Sequence, residues 1–124
     1  MFDTDVLIWA LRGNLNAARA IDSASNRTLS IISFMELIQG ARSKVEARQI
    51  RQSLRQLQFH ILPLSETIGA RAAALIETRA FAHGMQLADA LIAATAIESG
   101  LPLCSANAKH FRPVGDLSRV AFRP

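Results

Sequence analysis

Phe2-Asp3-Thr4-Asp5-Val6-Leu7-Ile8-Trp9 sets two carboxylates one residue apart inside an apolar run. A strand that served only the core would not carry acid there. An unpaired buried charge costs several kcal/mol or is forced to protonate. The acids are therefore either a helix cap or part of a site, and Asp3 has the weaker claim to be a cap. Asp3 is expected where a short first strand ends. Asp5 is expected to cap a helix over Val6 to Arg12 that stops at Gly13.

Outward from that stretch, strands and helices alternate. Asn14 to Arg27 reads as a second helix, with Ala17, Ala18 and Ile21 inward. Thr28-Leu29-Ser30-Ile31-Ile32 is a β-branched run expected as a buried strand. Ser33-Phe34-Met35-Glu36 opens a helix ending near Gly40. Lys44 to Leu57 is amphipathic: Ala47, Ile50, Leu54 and Leu57 share one face, while Lys44, Arg48, Arg51 and Arg55 form a basic stripe on another. Phe59 to Leu62 is a strand closed by Pro63. Ser65 caps a long helix to about Ala82, ended by Gly84. A further helix runs from about Gln86 to Ser99 and stops at Gly100. Strands follow at Leu101 to Cys104 and Val120 to Phe122. Such alternation predicts a central parallel sheet of about five strands with helices on both faces, a three-layer α/β/α domain.

Composition bounds the rest. The 124 residues suffice for one domain, 1–124, with a real core. The single cysteine, Cys104, allows no internal disulfide, and no signal peptide is evident, so a cytoplasmic location is expected. The apolar stretch around Leu87 to Ile97 contains Asp89 and is too short to span a bilayer. A net charge of +4 favours a polyanionic partner such as nucleic acid without proving one. His60, His83 and His110 share no metal-ligand spacing. Cys104 reads as a core thiol.

Ligands of an open parallel sheet bind beyond the carboxyl ends of the strands. Asp3 ends the first strand, Glu36 lies a turn past the second, and Ser105 and Asn107 follow the fourth. Asp89 sits in the first turn of a helix that feeds a parallel strand, so it lies at the same end. Asp3, Glu36, Asp89 and Asn107 can thus face one crevice. Clustered carboxylates raise each other's pKa, and a divalent cation removes the conflict. All-oxygen ligands suit Mg²⁺ or Mn²⁺. Each acid has a plainer reading. Asp5 can be a simple N-cap. Ser33-x-x-Glu36 fits a capping box. Asp89 can merely complement a helix dipole, and the basic stripe can be a solvated face.

Four motifs occur in order: Asp3-Thr4-Asp5-Val6-Leu7-Ile8, Ser33-Phe34-Met35-Glu36-Leu37 with Gly40, Leu87-Ala88-Asp89-Ala90-Leu91-Ile92-Ala93-Ala94, and Ser105-Ala106-Asn107-Ala108-Lys109-His110-Phe111. The set resembles the PIN-domain ribonucleases and, among them, the VapC-like toxins of bacterial toxin–antitoxin pairs. That resemblance implies a Mg²⁺- or Mn²⁺-dependent endoribonuclease acting on RNA. It implies Asp3, Glu36 and Asp89 as acidic metal ligands, with Asn107 at a fourth position where many relatives carry an acid. Asp5 and Ser105 take supporting roles. It also implies a homodimer and a small antitoxin protein that covers the active-site groove. Lys44, Arg48, Arg51 and Arg55 become candidate RNA or partner contacts. Two other functions fit parts of the pattern. One is an inactive PIN-like module that binds RNA or protein, which Asn107 would allow. The other is a haloacid-dehalogenase-type phosphatase with Asp3 as nucleophile, which lacks the later acidic pair that family needs.

Overall fold

A computed structural model describes residues 1–124. The elements run α1 (Thr4–Leu11), α2 (Leu15–Asp22), β1 (Thr28–Ser30), α3 (Ile31–Gln39), α4 (Lys44–Gln56), β2 (His60–Leu62), α5 (Glu66–His83), α6 (Leu87–Glu98), β3 (Leu103–Ser105), a 3-10 turn (Ala108–Phe111) and β4 (Arg119–Ala121).

The sheet is parallel, as expected, but smaller than five full strands. β1 pairs with β2, and β3 pairs with β4, each over three residues. The N-terminal segment joins the two pairs through a single parallel bridge between Phe2 and Cys104. Its backbone bonds to both sides. The Phe2 amide donates to Thr28 O at 2.9 Å, and the Asp3 amide donates to Cys104 O at 2.9 Å. The spatial order is therefore β4, β3, residues 1–3, β1, β2. Met1 to Asp3 fills the place of a central strand, paired through that single bridge and its flanking backbone hydrogen bonds. β1 is short because a helix begins at once: Ile31 and Ile32, expected in the strand, already belong to α3.

Two cores flank this sheet. Met1, Leu103 and Leu62 face α5, α6 and the C-terminal loop, around Ile68, Ile92 and Phe111. Phe2, Leu29, Ile61 and Cys104 face the other way, against Val6, Leu7, Ile21, Leu37, Ile50 and Leu54 of α1 to α4. Neighbouring residues of one strand thus serve opposite cores, the period-2 signature of a sheet covered on both sides. This is the three-layer α/β/α arrangement. Burying each such Leu, Ile or Phe contributes about 1.5–3 kcal/mol.

Element ends follow local chemistry. Asn14 caps α2, accepting from the Ala17 amide. That helix stops at Asp22 rather than at Arg27, whose guanidinium instead ties Ile21 O at 3.0 Å to Leu57 O at 3.0 Å. Ser43 and Ser65 cap α4 and α5. Gly84 ends α5 with φ of 63°, a left-handed conformation that suits glycine.

Candidate active site

Asp3, not Asp5, is the cap of α1. Asp3 takes extended backbone angles, and its side chain accepts from the Thr4 amide at 2.8 Å. The helix therefore starts two residues earlier than Val6, and Asp5 lies in its first turn. The sheet causes the shift: Asp3 is the last residue bonded to Cys104, so the chain can turn helical directly after it.

The 105–107 loop closes over both acids. Ser105 Oγ donates to Asp3 Oδ2 at 2.7 Å, and the Asn107 amide in turn donates to Ser105 Oγ at 2.9 Å. Asp5 Oδ2 accepts from the Ala106 amide at 3.0 Å and from Asn107 Nδ2 at 3.2 Å. Its other oxygen, Oδ1, is buried and has no hydrogen-bond partner. A buried acceptor left this way costs about 1–3 kcal/mol.

Glu36 is reached from α1. Thr4 Oγ1 lies 2.7 Å from Glu36 Oε1, which accepts its proton, and 2.9 Å from Ser33 Oγ. The capping-box reading of Ser33 and Glu36 fails here. Ser30 is the cap of α3, accepting from the Ser33 amide at 3.0 Å. Ser33 lies inside the helix, fully buried, and Glu36 points toward the acids rather than back along its own helix. Thr4, Ser30 and Ser33 were not anticipated as site residues. The available signal was three small hydroxyls set in otherwise apolar stretches.

Asp89 occupies the first turn of α6, half-buried. It makes no hydrogen bond to the cluster, but its charge reaches Asp3. No three acidic, histidine or cysteine side chains converge tightly enough to be a finished metal cage. Asp3, Asp5, Ser105 and Asn107 are in direct contact; Glu36 is tied to them through Thr4; Asp89 stands apart. The four stripe residues Lys44, Arg48, Arg51 and Arg55 are exposed on α4 and take no part in this cluster.

The electrostatics follow from the packing. Asp3 is 7% exposed. Burial, and then the neighbouring Asp5, push its carboxyl up to about 6, although Ser105 and the Thr4 amide pull the other way. Burial also pushes Asp5 up, against the hydrogen bonds that the 105–107 loop gives it. Cys104 rises for the same reason, with Asp5 and Asp3 adding to it. Holding Asp3 ionised at neutral pH costs on the order of 3 kcal/mol, at about 1.4 kcal/mol per pKa unit. Both Asp3 oxygens already accept hydrogen bonds, from the Thr4 amide and Ser105, which disfavours Asp3 as a phosphatase nucleophile. An all-oxygen cluster with opposed ionisation and an unpartnered Asp5 Oδ1 does fit a hard divalent cation.

Beside Glu36 an open groove of about 710 Å³ runs between α1, α3 and α4. Ile8, Leu11, Leu37 and Ile50 form its apolar floor, and Arg12, Arg42, Glu46 and Gln49 stand on its rim.

Comparison with known proteins agrees with this architecture. The PIN domain family profile matches residues 1–117, so the chain belongs to the PIN domain family. Ribonuclease VapC10 of Mycobacterium tuberculosis is 36% identical over 115 residues, covering 90% of this chain and 84% of that protein. Among solved structures, a toxin–antitoxin complex from Klebsiella pneumoniae superposes with a TM-score of 0.80 at 30% identity, covering 97% of this chain and 94% of that one. FitAcB from Neisseria gonorrhoeae gives 0.74 at 28% identity, over 99% and 96% of the two chains. VapBC-1 from nontypeable Haemophilus influenzae gives 0.78 at 23% identity over 98% and 96%, a likeness of fold.

Proposed function

We propose that this protein is a Mg²⁺- or Mn²⁺-dependent endoribonuclease, the toxin of a toxin–antitoxin pair. The observation that carries the reading is Asp3: a buried carboxylate at the end of the central segment, beside Asp5, with its proton favoured to about 6. Membership of the PIN family and 36% identity to a ribonuclease support the same conclusion.

Asp3, Glu36 and Asp89 would hold the ion, which supplies a Lewis acid for the phosphate and lowers the pKa of water. The chain's own residues set the stage. Ser105 fixes Asp3, the Ala106 amide and Asn107 fix Asp5, and Thr4 aims Glu36. Such supporting hydrogen bonds typically contribute 10–100-fold in metal affinity or activity. Asn107 contributes a donor rather than a fourth charge. An ion held there would supply the activation of water, a role for which no side chain is assigned.

The antitoxin would occupy the groove beside Glu36, where an apolar floor and a charged rim suit an amphipathic segment. Complexes among the structural neighbours support a partner of this kind. A homodimer and a cytoplasmic location complete the reading; no helix is long and apolar enough to cross a membrane.

Purified, antitoxin-free protein incubated with total RNA, with Mg²⁺ or Mn²⁺, tests it. Discrete new 5′ ends that vanish with chelator and with Asp89→Asn are expected. RNA left intact under all metal conditions would sink the proposal.

A further inference from the structure

The basic stripe of α4 has a structure that a merely solvated face lacks. Four ion pairs exist in the molecule, and none includes Lys44, Arg48, Arg51 or Arg55. Glu46, the one acid of α4, is taken by Arg42 at 3.1 Å. The stripe is therefore a row of uncompensated cations. At 1.5 Å of rise per residue it runs roughly 16 Å along the helix.

One end of the row lies at the same end of the sheet as the acids. α4 feeds β2, which is parallel to β1, so α4 runs against the strands. Its Lys44 end lies at the carboxyl side of the sheet, with the acids. From there the row leads outward to Arg51 and Arg55, where it acquires an aromatic partner. The Arg51 guanidinium sits over the Phe34 ring, 5.1 Å from its centroid. Beside it opens a small cavity of about 180 Å³, walled by Phe34, Arg51, Leu54, Arg55, Phe59 and Ile61.

Cations in a row attract a phosphate chain, and their spacing of three to four residues repeats every 5–6 Å or so. A guanidinium seated over an aromatic ring offers a surface on which an unpaired base can stack. The exposed residues between Arg48 and Arg55 are the polar Gln49 and Gln52, and the apolar side chains Leu54, Phe59 and Ile61 wall the cavity beside the row rather than the row itself.

We propose that the α4 face bearing Arg48, Arg51 and Arg55, with Phe34 beneath Arg51, is a track that binds single-stranded RNA outside the catalytic crevice. It deepens the ribonuclease reading by assigning where the strand lies after it leaves the acids.

The test is fluorescence anisotropy with a labelled oligouridylate in chelator, over a series of KCl concentrations. Chelator separates binding from cutting. For Arg48→Gln/Arg51→Gln/Arg55→Gln, affinity is expected to fall at least about tenfold at moderate salt. The slope of log affinity against log salt should shrink by about 2, at about 0.7 per phosphate contact on a single strand. Phe34→Leu keeps an apolar side chain but removes the platform; it should weaken binding several-fold with the slope unchanged. If the triple variant does not fold, Arg55→Gln alone must lower the slope by about 0.7. Wild-type protein that does not bind, or variants that bind as tightly with the same slope, overturn the track. So does loss of antitoxin binding with RNA binding intact, which would assign the face to protein. A protein that binds along α4 but never cuts RNA would sink the ribonuclease reading and leave the track standing.

Discussion

The two sides of the candidate site are built differently. On one side, Asp3 and Asp5 are clamped at the carboxyl end of the central segment by the 105–107 loop, with Asp3 buried and accepting from both Thr4 and Ser105. On the other, Glu36 and Asp89 stand on separate helices. Glu36 is solvent-exposed and held by Thr4; Asp89 is half-buried and has no hydrogen bond to the cluster. The clamped side is shaped by folding itself, because its bonds are continuous with the strand ladder. The open side is shaped by where α3 and α6 happen to carry their acids. The clamped pair therefore stores an electrostatic conflict that the open pair does not share.

The strongest way to break the contrast is Asp3→Asn. RNA cleavage should fall by about three orders of magnitude or more, since on the proposed reading the clamped carboxylate would be both ligand and anchor. The metal-free protein should become more stable at pH 7.5, by about 1–3 kcal/mol, because the buried charge is gone. Thermal unfolding in chelator reads this directly. Lower stability together with lost activity would mean that Asp3 is chiefly structural.

Removing the supports should separate the sides. Ser105→Ala frees Asp3 and exposes it to Asp5; activity is expected to drop about 10–100-fold. Thr4→Val, on the open side, keeps the shape of the residue and should cost nearer tenfold, recoverable at higher Mn²⁺. Equal losses in both, with no metal dependence, would erase the distinction.

The pH dependence of stability gives a smaller effect of definite sign. The Asp3 carboxyl sits at about 6 when folded, against 3.8 for an unperturbed one. Between those values the folded chain holds a proton that the unfolded chain has released. For this group, metal-free stability should rise as pH falls from about 6 toward 4, and stay level above about 7. The rise should be missing in Asp3→Asn. The subtlest case is Asn107→Asp, which adds a charge to the clamped side. Metal-free stability should fall by about 1 kcal/mol or less, while stabilisation by Mn²⁺ increases.

Much of this architecture was legible in the sequence, and the exceptions share a cause. Alternating elements give a parallel sheet, and its topology gathers Asp3, Glu36, Asp89 and Asn107 at one end. Which residue caps which helix was decided elsewhere. Ser30, Ser33 and Glu36 are spaced by threes, so local rules fit a cap at either serine. The register Ser30 against Leu62 fixes where β1 stops and makes Ser30 the cap. Likewise Asp5 looks like a cap until Asp3 is seen bonded to Cys104 O. The partner of Asp5 lies a hundred residues away, in a loop whose path no short-range pattern encodes. The sheet came out as two short pairs joined by one bridge because the chain turns into α1 directly after Asp3, so the segment before it pairs through a single bridge.

The central claim is that side chains from four separate elements form one cation-binding pocket. Calorimetric titration of Mn²⁺ into chelator-stripped protein at pH 7.5 measures it most directly. Saturable binding is expected for the wild type, abolished in Asp3→Asn and weakened in Glu36→Gln and Asp89→Asn. Mn²⁺ binding of equal strength in all four proteins, or none in the wild type, would contradict it.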